Sequence, residues 1–93
     1  MTEKQYIELV VSMGCIIRGT PAVPHHVKCF HAGWGKVSDF LIIPLCPELH
    51  TDGNDSFHHD QKLFEMKYGY EWALLAETIQ RVTMRLVNPG VPF

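Results

Sequence analysis

The chain has 93 residues, 46% of them hydrophobic, and carries eight Lys and Arg against ten Asp and Glu, for a net charge of −2 with neutral histidines. That size suits one small domain with a modest core, of the kind often helped by a metal, disulfides or oligomerisation. The charge excludes nucleic-acid binding by bulk positive charge alone, and no apolar run approaches the roughly 18 residues needed to cross a membrane.

The N-terminus shows no basic start followed by an apolar stretch and a cleavage site, and the three cysteines come without an export signal. A reducing, cytoplasmic setting is therefore expected. Residues 2–13, "TEKQYIELVVSM", read as a helix. Thr2 and Gln5 have capping-box spacing, Tyr6, Leu9, Val10 and Met13 fall on one face, and Gly14 is a stop. A turn at Gly19-Thr20-Pro21 leads to an extended segment from Ala22 to Lys28, and "HAGWGK" is a Gly-rich connection. "DFLIIPLC" reads as a second strand bounded by Asp39 and Pro44.

Pro47 opens a short helical turn that carries His50, followed by a Gly-Asn loop. "SFHHDQKLFEMKYG" reads as a short helix capped by Asp55 or Ser56 and ended by Gly69. "YEWALLAETIQRVTMRLV" is the clearest helix. Its apolar stripe is Trp72, Leu75, Ala76, Ile79, Val82 and Leu86, and Asn88-Pro89-Gly90 ends it. There is no repeat, low-complexity segment or linker.

All six histidines, His25, His26, His31, His50, His58 and His59, lie between positions 25 and 59. Neutral imidazole is the commonest protein ligand for transition metals. His25 and His26 are adjacent on a predicted strand, so their side chains point to opposite faces and do not easily share one ion. One can serve as a ligand and its neighbour as a general base, or one can sit in the site and the other in the core. His50 and His58, on later elements, can close a site around the same point. Lys62, Lys67, Arg81 and Arg85 read first as solvated charge, with phosphate contact as the alternative.

The segments "CIIRG", "PHH", "GWGKVSDFLIIPLC", "ELH" and "SFHHDQKLFEMKYG" together resemble the HNH, or ββα-metal, nucleases. Among these they look most like the phage recombination-enhancement, RecA-dependent nuclease family and its small prophage relatives. The resemblance runs from about Cys15 to Gly69. It implies an α+β fold: a ββα-metal core hairpin plus short helix, flanked by an N-terminal helix and C-terminal helices, as a single nuclease domain over 1–93. It implies a metal-dependent DNA endonuclease of prophage or recombination type, with DNA and a recombinase protein as partners.

Residue by residue, the resemblance makes His26 the general base and places Asp39 near the family's central Asn, which pins the loop that orients that base. His25, His50 and His58 would be ligands of a catalytic divalent cation, Mg²⁺ or Mn²⁺, with Zn²⁺ as a third candidate; His59 competes with His58. Read from the residues themselves, Lys36, Arg81 and Arg85 are the candidates for DNA contact. Relatives often hold a structural zinc on paired knuckles. Here Cys15 and Cys46 have the spacing of the first ligand of each pair, but Arg18 and Leu49 stand in the second positions. Two ligands do not close a tetrahedral site, so structural zinc is expected to be absent or weak and the pair vestigial. Cys29 is a third thiol. Two other readings stay open: a catalytically decayed DNA- or protein-binding module on the same scaffold, and a protein whose histidines hold one metal for folding.

Overall fold

The computed structural model describes residues 1–28 and 38–88. Cys29, His31, Trp34, Lys36, Val37, Pro89 and Gly90 lie outside them. The elements are α1 (Glu3–Ser12), β1 (Val23–His26), β2 (Ile42–Leu45), one π-helical turn (Glu48–Asp52), α2 (Gln61–Tyr68) and α3 (Glu71–Val87). This is a small α+β domain with a two-stranded antiparallel hairpin and several helices, measuring 37 × 30 × 19 Å. Among the described residues, no helix is long and apolar enough to cross a membrane.

The capping box is present. The Thr2 hydroxyl accepts the Gln5 N–H at 3.1 Å, and the Gln5 side chain accepts the Thr2 N–H at 2.8 Å. This satisfies donors that a helix start leaves without partners. Tyr6 and Val10 then point inward.

The hairpin pairs Val23 with Leu45, Pro24 with Pro44, His25 with Ile43 and His26 with Ile42. Pro44 was expected to bound the second strand; it lies inside. Two facing prolines have no N–H to exchange, so they fit a pair whose hydrogen-bonding groups point away from each other. The bond from Val27 N–H to Leu41 O at 3.1 Å has the parity this requires, and the outward Pro44 carbonyl accepts the Ile16 N–H at 2.9 Å.

Both faces of β2 are covered, which is why all four of its residues are buried. Ile43 and Leu45 join Val27, Leu49, Phe57, Phe64, Leu74 and Leu75 in the larger core, and Ile42 on the other face meets Tyr6, Val10 and Val82. β1 therefore turns His25 into the larger core and His26 toward the other face.

Two helices differ from the sequence expectation. The helix foreseen from Ser56 begins at Gln61, because Asp60 caps it by accepting the Leu63 N–H at 3.1 Å. Asp55 instead takes the Lys67 ammonium at 3.0 Å and the Tyr68 hydroxyl at 2.8 Å, while the Ser56 hydroxyl accepts the His59 N–H. Residues 56–59 are thus a turn. α3 is rotated from its expected stripe: it buries Glu71, Leu74, Leu75, Thr78 and Val82, and leaves Trp72, Ile79 and Leu86 exposed. The two polar residues go inside because they are satisfied. Glu71 binds His25 on β1, and the Thr78 hydroxyl donates to the Leu74 carbonyl at 2.8 Å.

Candidate metal centre

Three of the expected ligands converge. One nitrogen each from His25, His50 and His58 lies within 4.8 Å of the other two. His25 comes from β1, His50 from the π-helical turn and His58 from the turn before α2. The last two are held together by their backbones. The wide turn closes with Gly53 N–H on the Glu48 carbonyl, and the returning chain bonds Phe57 N–H to Leu49 O and His58 N–H to His50 O. This brings the two Nε2 atoms to 3.1 Å. Phe57 forms a wall, its ring centroid 4.5 Å from that of His25.

His25 is almost fully buried, and its Nε2 lies 2.6 Å from Glu71 Oε2. A carboxylate only accepts, so Nε2 carries the proton and the Nδ1 lone pair is left over. That Nδ1 is buried with no hydrogen-bond partner. Such an orphan costs about 1–3 kcal/mol unless something else meets it. A cation drawn by three imidazoles would meet it, and the carboxylate behind the ring is the usual device for fixing the tautomer of a metal-binding histidine. The donor set fits a transition metal. Mg²⁺, which takes oxygen ligands, fits it poorly.

Burial works against charge on two of the three ligands. Burial pushes the His50 imidazole down to about 4, and the neighbouring His25 and His58 rings act in the same direction. Burial likewise lowers His58, with His25 and Lys28 acting in the same direction.

The neighbouring His26 is part-exposed, and its Nε2 lies 2.6 Å from Asp39 Oδ1. By the same logic Nε2 donates and Nδ1 is the acceptor atom. The structure brings His26 and Asp39 together as a pair, and His25, His50 and His58 as a trio. His59 is exposed and stays out of the trio. Arg81 pairs with Glu77 at 2.7 Å, Arg85 is exposed in the last turn of α3, and Lys36 lies outside the described residues. Cys15 and Cys46 join no group of three ligands among the described residues.

Two residues were missed. Glu71 holds His25 and also accepts the Lys28 N–H at 2.7 Å. Lys28 places its ammonium 6.0 Å above the centre of the Phe57 ring, a cation beside the trio. A lysine two positions after "HH" is a signal that could have been used; Glu71 has none in the sequence.

The family described as "Protein of unknown function (DUF968)" matches residues 1–85. Uncharacterized protein YdfU of Escherichia coli (strain K12) is 33% identical over 82 residues, which are 85% of this chain and 22% of that protein. The chain therefore spans less than a quarter of that relative's length. No solved structure matches it.

Proposed function

The chain belongs to the DUF968 family, and we propose that it is a metal-dependent endonuclease of the ββα-metal type that hydrolyses DNA phosphodiester bonds. One observation carries the reading: a trio of imidazoles around a buried, orphaned nitrogen, with a His–carboxylate pair on the very next residue. A ligand set alone would fit a folding metal. A ligand set joined to an oriented base suits hydrolysis.

His25 Nδ1, His50 Nε2 and His58 Nε2 would hold the ion, with Zn²⁺ or Mn²⁺ favoured by the nitrogen donors. Bound there, a divalent cation supplies charge to offset that developing on the phosphate in the transition state. Asp39 holds His26 Nε2–H, so that Nδ1 takes the proton of the attacking water. Glu71 fixes the His25 ring, and Lys28 stands where a phosphate oxygen can meet it. A recombination substrate and a recombinase partner belong to this proposal only through the sequence resemblance.

The test is nicking of supercoiled plasmid with Mn²⁺, Zn²⁺, Mg²⁺ or chelator, run on the wild type and on His26→Ala. Cleavage should need the metal and fall about 10²–10⁴-fold in His26→Ala, which should still bind the ion. A folded, metal-loaded wild type that leaves the plasmid intact overturns the reading. DNA binding would then favour the non-catalytic module, and unfolding by chelator the folding metal.

A further inference from the structure

Trp72 was expected in the core, and α3 turns it outward. It is 57% exposed, and so is Tyr70, the residue just before the helix. Their rings lie nearly parallel, 10° apart with centroids 6.2 Å from each other, as an offset stack. A cleft of about 300 Å³ opens against Tyr70 and is lined by Lys62, Glu65 and Met66 of α2. Met66 is 84% exposed, and Lys62 is exposed too.

Between the two aromatic residues stands Glu71, whose carboxylate holds His25 Nε2. The pair therefore brackets the residue that fixes a ligand of the metal centre.

The chemistry of this surface selects an occupant. Flat, parallel π faces in water favour a flat π partner. The cleft carries one ammonium and one carboxylate. Lys62 can meet a phosphate. Glu65, which accepts the Gln61 side-chain amide at 2.8 Å, repels a phosphate but not a neutral base. A nucleotide offers both parts, an uncharged ring and a charged phosphate on a short tether. With a net charge of −2 the chain does not hold DNA by phosphate contacts alone, so stacking has to supply what charge does not.

We propose that Tyr70 and Trp72 are a stacking platform for unpaired bases of a DNA strand, with one base entering the cleft beside Met66 and Lys62 on its phosphate. Inside a duplex the faces of each base are covered by its neighbours, so the platform takes single-stranded or frayed DNA. The proposal rests on the nuclease reading for what the strand is there to undergo. It adds that the substrate includes an unpaired segment, held at the end of α3 from which Glu71 reaches His25.

The probe is a fluorescein-labelled DNA of about 20 nucleotides, longer than one stacking site, either single-stranded or annealed into a blunt duplex. Anisotropy is read in chelator and low salt, so that nothing is cut. The single strand should bind more tightly than the duplex. Tyr70→Ala and Trp72→Ala should each weaken its binding about 5–100-fold, and Trp72→Phe should recover most of the loss. His26→Ala should bind like the wild type, and both alanine variants should still load metal. Trp34→Phe leaves Trp72 as the one tryptophan; adding the strand should quench its emission, a readout that needs neither ring removed.

Unchanged affinity in both alanine variants, equal binding of strand and duplex, or an indole emission that the strand does not alter overturns the proposal. So does a concentration-dependent dimer that Trp72→Ala abolishes, which would give the rings to a second copy of the chain. Ring-dependent binding by a metal-loaded protein that leaves plasmid intact would keep the platform and sink the nuclease. Plasmid cleavage without ring-dependent binding would do the reverse.

Discussion

Glu71 shows how much one side chain can decide. Its two oxygens are both committed, one to His25 Nε2 and one to the Lys28 N–H. Glu71→Gln keeps the shape but sets an NH₂ group against one of those donors, which loosens the ring that should present Nδ1. Metal affinity should fall about 10–100-fold, read by competition with a chromophoric chelator, while the circular dichroism of the protein is unchanged. An unaltered affinity would reduce Glu71 to a packing residue. The histidines were legible in the sequence because their residue type names their chemistry. Glu71 was not, because an acid in the first turn of a helix is common for a reason of its own, the helix dipole. Only the tertiary contact with β1 distinguishes it.

Among the elements, α1 was read most closely, because both its capping and its inward face are local properties. Thr2→Ala removes the acceptor for the Gln5 N–H and should cost about 1 kcal/mol. Because Tyr6 and Val10 pack on Ile42, the loss should appear as a lower midpoint in global urea unfolding, and a midpoint unchanged within error would mean that α1 frays independently. α2 and α3 were placed less well for definable reasons. Asp55, Ser56 and Asp60 all qualify as caps by type, and only the pull of Lys67 and Tyr68 on Asp55 selects Asp60. In α3 two adjacent stripes share Leu75 and Val82. The choice between them depends on whether Glu71 and Thr78 find partners, which helical periodicity does not encode.

At the scale of the whole molecule, the histidine cluster makes stability a function of pH. His50 titrates near 4 in the folded protein against an ordinary value of 6.5, and His58 is lowered too. The unfolded chain therefore binds more protons than the folded one between those values, so acid favours unfolding. In chelator, the stability these residues contribute should be complete above about pH 6.5 and should drain away as pH falls toward about 4. Tm measured across this range should decline, with a shallower slope in His50→Ala. Equal slopes would show that carboxylates alone set the acid limit. The α+β class and the hairpin with its flanking helices were legible from element order. The convergence of residues 25, 50, 58 and 71 was not, since it depends on how β1, the wide turn and α3 meet.

The facing prolines of the hairpin bear on how this protein behaves among its own copies. A two-stranded sheet has two open edges, each an invitation for a foreign strand. Pro24 and Pro44 point their backbone positions outward from the pair, so each edge lacks an amide donor where an incoming strand would look for one. Ile16 already occupies the Pro44 carbonyl. The hairpin that carries His25 and His26 is thereby a poor template for growth into a larger sheet.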